Sequence, residues 1–550
     1  MNPAPQLAIV KLPDIVNEPM LHYAPGSTER RLLQEALQEI RSQAPYEVPI
    51  VIDGEEIKTG HIEEQRVACD HQVVLCRYHN ATDPKLVTRA IDGALRAKEA
   101  WEAMPVYDRT AIMLRAADLL ATKYRYKVMA ATMLGQGKNA WQAEIDAAAE
   151  ACDFLRFNCK FAQEVYAHQP AANTPGTWNH VEYRPLEGFV FAVSPFNFTA
   201  IAANLCGAPA LMGNVVVWKP SPAATLSNYF IYEILVEAGL PAGVIQFVPG
   251  PAAEMAQQVF AHPDFAALHF TGSTHVFKGL WKTIAQNIDS YRSYPRIVGE
   301  TGGKNFHLIH NSAPVRSTAL QTIRAAFEYQ GQKCSACSRC YVPASRWPEF
   351  KTHLLAEHAK ITVGDVNDFS HFMTAVINQV AFDKIKGFIE HARSASDCEI
   401  IAGGTYDDSK GYFIQPTVIV TTNPHTKTMV EEIFGPVVTI YVYPDAEWQS
   451  TIQMINETGT YGLTGAVFAN DRQAVVYATN KLRNTAGNFY INDKCTGAVV
   501  GQQSFGGARN SGTNDKAGSS NLLYRFVSPR SVKETFVPIE DFMYPHNLKD

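Results

Sequence analysis

Four continuous apolar runs constrain this chain more than any other feature. They are Phe189-Val190-Phe191-Ala192-Val193, Asn214-Val215-Val216-Val217-Trp218, Val244-Ile245-Gln246-Phe247-Val248 and Ala267-Leu268-His269-Phe270. Between them lie segments of helical length, such as residues 223–238, which end at Gly239. Strands without polar alternation, separated by helices, specify a parallel sheet covered on both faces. Ligands on such sheets bind beyond the carboxyl ends of the strands. Those ends are Ser194-Pro195-Phe196-Asn197, Lys219-Pro220-Ser221, Pro249-Gly250 and Thr271-Gly272-Ser273-Thr274. Small residues, prolines and a lysine fit a nucleotide crevice.

Upstream, residues 109–134 read as one helix, with Ile112, Ala116, Leu119 and Leu120 on one face. Residues 146–160 continue in the same style. Residues 169–176 form a connection, and 178–184 an extended arm. A second alternation begins near Glu300, with strands at 305–309, 340–343, 437–443 and 464–468, a helix at 381–394, and an extended tail over 524–537. A chain of 550 residues accommodates two or more domains.

The net charge is −6 and there is no long basic run, so no nucleic-acid partner is expected. No apolar run is long enough to span a bilayer, so no membrane partner is expected either. Residues 1–30 lack a secretory pattern and carry Asp14, Glu18 and Glu29 with no arginine before Arg30. The 10 cysteines are irregularly spaced, as in a protein kept reduced. The expected location is cytoplasmic, or the mitochondrial matrix if a leader has been removed.

Two Gly-bearing segments carry the chemistry. Gly331-Gln332-Lys333-Cys334-Ser335 offers a thiol nucleophile, and Gly299-Glu300-Thr301-Gly302-Gly303-Lys304 a carboxylate base. No G-x-G-x-x-G follows any strand. Thr271-Gly272-Ser273-Thr274 is either a plain strand-to-helix turn or a cofactor contact. Thr301-Gly302-Gly303-Lys304 fails as a phosphate loop, because Val298 stands where the first glycine belongs and Asn305 where Ser or Thr is needed. Cys334, Cys337 and Cys340 are spaced as C-x2-C-x2-C, which suits a metal site or buried thiols; a fourth ligand at suitable spacing is absent.

Taken together and in order, the motifs resemble the aldehyde dehydrogenase family over residues 87–534. They are Ser194-Pro195-Phe196-Asn197-Phe198, Lys219-Pro220-Ser221, Phe270-Thr271-Gly272-Ser273-Thr274, Glu300-Thr301-Gly302-Gly303-Lys304, Gly331-Gln332-Lys333-Cys334 and Glu432-Ile433-Phe434-Gly435-Pro436. Residues 142–150, 331–339, 500–509 and 511–516 are similar to the family's branch that oxidises glutamate semialdehyde. The alternatives are another semialdehyde substrate, or a catalytically silent NAD-binding protein on the same fold.

The resemblance implies an α/β fold of three parts. Residues 1–170 and 188–299 form a Rossmann-like NAD-binding domain, 300–515 an α/β catalytic domain, and 171–187 with 516–550 a β-strand oligomerisation flap and tail. It implies Cys334 as nucleophile, Asn197 as oxyanion donor and Glu300 as the base that activates water. Ser194, Lys219, Gly272, Ser273, Thr274, Glu432 and Phe434 are expected at NAD. Phe198, Lys333, Ser335, Gly497, Ala498 and Phe505 are expected at a small-molecule substrate. Lys333 is expected to lower the Cys334 pKa, attract the substrate anion or face solvent. Glu144 and Glu150 are expected on a solvated helix face, with the substrate ammonium as the alternative. No metal is implied, and a homodimer or higher homo-oligomer is. Two positions depart from the family pattern: Pro222 where many NAD-preferring relatives have an acid, and Ala498 where a serine is frequent.

Overall fold

The computed structural model describes residues 10–548; the first nine and last two positions, assigned above to the cofactor domain and the tail, lie outside them. The four apolar runs become strands Phe189–Val193, Val215–Lys219, Ile245–Phe247 and Phe265–Thr271. Nearly every side chain in them is buried, which is why no polar alternation survives. They belong to a seven-stranded sheet that runs, edge to edge, Arg296–Glu300, Phe265–Thr271, Phe189–Val193, Val215–Lys219, Ile245–Phe247, Ile50–Ile52, Glu55–Ile57. The first five are parallel. The chain moves outward in one direction from Phe189–Val193 and then returns to its other side at Phe265–Thr271. That reversal opens a crevice beyond Val193 and Thr271.

Downstream of Glu300 a second seven-stranded sheet runs Cys398–Ala402, Thr417–Thr421, Val437–Tyr443, Cys337–Pro343, Asn305–Ile309, Thr464–Phe468, Asn488–Ile491. Only Cys398–Ala402 is antiparallel to its neighbour. Thr301-Gly302-Gly303-Lys304 alone joins the sheets. The carboxyl edge of the first therefore faces the amino edge of the second, where the loop before Cys337 lies. A third, two-stranded ribbon pairs Thr177–Pro185 antiparallel with Val527–Thr535.

Several elements differ from the sequence reading. Residues 109–134 are two helices, Val106–Ala121 and Arg125–Gln136. The break follows from side-chain bonding: Thr122 Oγ1 donates to Asp118 O at 2.6 Å, and Lys123 and Tyr124 are drawn to Glu237 on helix Thr225–Glu237. Residues Glu144–Glu150 form a π-helical turn ahead of helix Ala151–Ala167. Tyr524 ends a short helix, Ser520–Tyr524, rather than starting the extended tail.

Gly188 sets the entry into the first sheet. Its φ is +133°, and a Cβ there would lie 2.0 Å from Asp264 O. Gly188→Ala should therefore cost about 1–3 kcal/mol through strain and overlap, read as a lower melting temperature; an unchanged melting temperature would refute this.

Candidate active site

Cys334 is held by the loop that enters strand Cys337–Pro343. Tyr329, Gln330 and Gly331 are successively left-handed, with φ of 52°, 54° and 66°. Gly331 is required there, since a Cβ would fall 2.2 Å from Gly435 O. The other two are non-glycine, at of order 1–3 kcal/mol each. Hydrogen bonds hold them: Tyr329 Oη donates to Gln136 O at 2.8 Å, and Gln330 Nε2 to Gly137 O at 2.8 Å and Ala375 O at 2.8 Å. Beyond them, Asn305 Nδ2 donates to Cys334 O at 2.7 Å and Ala336 O at 2.9 Å. The backbone around the thiol is fixed from several sides.

Asn197 and Glu300 converge on this loop. Asn197 follows strand Phe189–Val193, and its amide donates to Gln332 O at 3.1 Å. Glu300 ends strand Arg296–Glu300. Its Oε2 is buried without a hydrogen-bond partner. Burial holds the carboxyl well above the ordinary carboxylate range, opposed by the Lys516 ammonium and the Gly507 N–H. Lys516 is held in place by Gly487 O at 2.7 Å and Gly506 O at 2.8 Å. The Cys334 thiol is pushed up to about 12 by burial, with the charges of Glu300, Glu432 and Glu150 adding to the effect.

On the cofactor side, Glu432 Oε1 accepts the Gly303 N–H at 2.8 Å, and among the described residues no protein donor reaches its other oxygen. Phe434 has a φ of 60°, and its ring stands edge-on to Phe196 with centroids 5.9 Å apart. Ser273 caps helix Thr274–Gln286, Gly272 N donates to Glu300 O at 3.1 Å, and Thr274 Oγ1 accepts the Gly302 N–H at 3.3 Å. The turn thus belongs to both crevice and base loop. Lys219 is buried, donates to Pro220 O at 3.0 Å, and is pushed down to about 8 by burial. The Ser194 hydroxyl is spent inside the protein, accepting from Trp218 Nε1 at 2.9 Å and donating to Asn228 Oδ1 at 3.2 Å. Pro222 opens a short turn, Pro222–Ala224, with no acid at that place.

On the substrate side, Ser335 and Thr496 share a hydroxyl–hydroxyl bond of 2.7 Å, which ties the nucleophile segment to the loop carrying Gly497 and Ala498. Gly497 has a φ of +100°. Phe198 and Phe505 are half-buried, Phe505 pairing through its backbone with Ala517. Lys333 corrects the sequence reading. It is buried, so it does not face solvent, and its ammonium pairs with Glu328 at 3.2 Å. Glu144 and Glu150 correct it too. Glu144 is fully buried and paired with Arg125. Glu150 is half-buried, near enough to Cys334 to act on its pKa, and is itself raised to about 8 by burial and Asp146. The π-helical turn carries both residues inward, and a helical period read from sequence assigns them elsewhere.

Of the run Cys334, Cys337 and Cys340, only Cys337 enters a cluster of ligand-type side chains, with His307 and Cys495 within 4.8 Å of one another. Thr322 Oγ1 donates to Thr318 O, so His307 Nδ1 donates to Thr322, and Nε2 accepts the Cys495 N–H at 3.2 Å. That imidazole lone pair is already used.

The raised thiol is testable by alkylation of the protein alone. Iodoacetamide should modify Cys334 slowly, accelerating by roughly tenfold per pH unit through the neutral range. Glu300→Gln removes an adjacent negative charge where Glu300 is ionised, so labelling at alkaline pH should become faster; an equal or slower rate there would contradict the electrostatics.

Comparison with known proteins agrees with the geometry. The profile of the aldehyde dehydrogenase family matches residues 59–532. The delta-1-pyrroline-5-carboxylate dehydrogenase of Agaricus bisporus is 61% identical over 544 residues, covering 99% of each chain. The mitochondrial delta-1-pyrroline-5-carboxylate dehydrogenase of Emericella nidulans is 57% identical over 545 residues, covering 98% of this chain and 95% of its own. The crystal structure of the delta-pyrroline-5-carboxylate dehydrogenase from Mycobacterium tuberculosis bound with NAD superposes with a TM-score of 0.95 at 47% identity, covering 99% of this chain and 100% of that one. With a matched profile spanning most of its length and a thiol, an amide and a carboxyl gathered between its two sheets, the chain belongs to the aldehyde dehydrogenase family.

Proposed function

We propose that this protein oxidises L-glutamate 5-semialdehyde, the ring-opened form of 1-pyrroline-5-carboxylate, to L-glutamate with NAD, the second step of proline breakdown. The observation that carries the mechanism is the meeting of Cys334, Asn197 and Glu300 at the joint between the sheets, beside the Gly497–Ala498 loop. Near-full-length identity to relatives bearing that activity supports the substrate.

The residues present fit NAD. The crevice lies where strand order reverses, and helix Thr274–Gln286 offers free N–H groups at its start to phosphates. Ser194, Lys219 and the Gly272-Ser273-Thr274 turn would line the nucleotide, Ser194 through its backbone. Glu432 offers its free oxygen to the nicotinamide ribose, and Phe434 a ring edge beside it.

Cys334 Sγ adds to the aldehyde carbon as thiolate, giving a thiohemiacetal. The Asn197 amide and the Cys334 N–H hold the oxyanion. When bound, NAD accepts the hydride that leaves that carbon, so that a thioester remains on Cys334. Glu300 then takes a proton from the water that hydrolyses the thioester. The Gly497 and Ala498 N–H groups and Ser335 receive the substrate carboxylate, Phe198 and Phe505 flank its aliphatic stem, and the Lys333 ammonium, balanced by Glu328, stands beside the nucleophile. Glu150 faces the substrate ammonium.

We assign residues 10–170 and 188–299 to the cofactor domain, 300–515 to the catalytic domain, and 171–187 with 516–548 to the flap. The tail exposes Phe536, Val537, Ile539 and Phe542, which supports a homo-oligomer. Among the described residues, no helix is long and apolar enough to cross a membrane. All 10 cysteines are free, which suits the cytosol or the mitochondrial matrix.

Purified protein should reduce NAD with this substrate, and Cys334→Ala should abolish the reaction. Activity on succinate semialdehyde with none on pyrroline carboxylate would overturn the assignment. Glu300 works only when ionised and its pKa is raised, so the rate of thioester hydrolysis should climb with pH above the ordinary carboxylate range. Lys516→Met removes a cation that lowers that pKa, and should move the climb to higher pH; a profile that stays put would refute the role of Lys516. Ala498→Ser adds a donor to a charged acceptor and should lower the KM for substrate about tenfold, measured by initial rates.

A further inference from the structure

We infer that Lys138 is a positioning residue that holds the oxyanion amide and the substrate wall against the nucleophile loop, acting through Asp146, Phe198 and Tyr329. The inference rests on the catalytic reading above. Lys138 follows helix Arg125–Gln136 directly after Gly137, whose φ of +69° turns the chain inward. It is fully buried. Its ammonium pairs with the fully buried Asp146 at 2.8 Å, and lies 3.8 Å from the centre of the Phe198 ring and 4.6 Å from that of Tyr329.

Each contact leads to the active site. Helix Thr199–Leu211 begins just after Asn197 and Phe198, and no capping side chain comes from its own N-cap residue. Asp146 supplies the cap from the π-helical turn, its Oδ2 accepting the Thr199 N–H at 3.0 Å and its Oδ1 the Ala200 N–H at 2.8 Å. Gln136 completes the grip, donating from Nε2 to Phe196 O at 2.6 Å. On the other side, Tyr329 donates to Gln136 O and stands at the head of the left-handed run before Cys334. Residues 136–138 thus hold the Asn197 segment with one set of bonds and the Cys334 loop with another. Burial pulls the Lys138 pKa down, and the Asp146 carboxylate 2.8 Å away opposes it.

Burying an ion pair is a poor route to stability alone, because well-packed apolar groups do as well or better. Here the pair does what they cannot. The carboxylate caps a helix, and the ammonium fixes the plane of an aromatic ring by cation–π attraction. A displacement of about 1 Å in such a site costs about a hundredfold in rate.

The test compares Lys138→Met, Lys138→Met/Asp146→Asn and Phe198→Leu with the unaltered enzyme. Lys138→Met should lower kcat by at least about tenfold while leaving the KM for NAD within about twofold. It should also lower the melting temperature, because Asp146 is left buried and unpaired. The double variant removes both charges and keeps an acceptor for the helix cap. It should regain the melting temperature and not kcat. Phe198→Leu leaves the ion pair intact and should lower kcat without lowering the melting temperature. Recovery of both quantities in the double variant, or kcat unchanged in Lys138→Met or Phe198→Leu, would reduce Lys138 to a counter-ion and overturn the inference. If Lys138→Met is insoluble, the double variant decides. Should the unaltered enzyme fail to reduce NAD with the semialdehyde, the catalytic reading falls instead, and the two failures are distinct.

Discussion

The Asn305 side chain is the joint on which the site depends. It is the first residue of strand Asn305–Ile309, immediately after the link from Glu300. Its amide nitrogen binds Cys334 O and Ala336 O, and its oxygen accepts the Thr464 N–H at 3.1 Å. One planar group therefore fixes the register between the nucleophile loop, the strand after it and the strand beside it. Because the link is short, the same residue also limits how far Glu300 can lie from Cys334. Gly303 shows how tight this is: a Cβ there would stand 2.4 Å from Cys334 O. The catalytic distance is set by backbone connectivity and one amide, before any side chain chooses a rotamer.

The electrostatics follow from the same closeness. Glu300, Glu432 and Glu150 all act on the half-buried Cys334 thiol, which burial already raises, and burial raises each carboxyl in turn. Gathered carboxyls in a dry site favour their neutral forms. Burial, and the charge of whichever of these carboxyls is ionised, together set up a resistance to forming the thiolate. A ligand that brings positive charge near Glu150 or Glu432 relieves that resistance by Coulomb attraction. Lys516 opposes the same effect at Glu300, its ammonium holding that carboxyl lower than burial alone would.

Much of this was legible in the sequence, for a definite reason. Strands buried on both faces leave continuous apolar runs, and Phe189–Val193, Asn305–Ile309, Val437–Tyr443 and Thr464–Phe468 fall at the expected residues. The motif order sets Cys334, Asn197 and Glu300 together in role, and the fold brings the Asn197 amide and the Glu300 carboxyl to the Cys334 loop. What stayed hidden depends on distant partners. Strand Arg296–Glu300 is an edge with exposed and half-buried residues, so it has no apolar signature. The short strands Ile50–Ile52 and Glu55–Ile57 join the first sheet only through pairing with Ile245–Phe247 and each other. The helix break at Thr122 is drawn by Glu237, and Lys333 turns inward toward Glu328. The surroundings of Glu150 are not readable from helical spacing, because the π-helical turn Glu144–Glu150 alters the register, and no local composition announces that shift.

The strained loop before Cys334 shows why the helical region at 125–150 matters to a site built on two sheets. Left-handed Tyr329 and Gln330 persist only if something outside the loop holds them. Their side chains reach to the carbonyls of Gln136 and Gly137, which end a helix and have no helical partners there. The helix end gains the donors it lacks and the loop gains anchors against its strain, so each satisfies the other's deficit. Because the same helix end grips Phe196 through Gln136, a shift of the nucleophile loop would also disturb the oxyanion segment. The two halves of the catalytic geometry are therefore set by one buried turn, although neither half belongs to it.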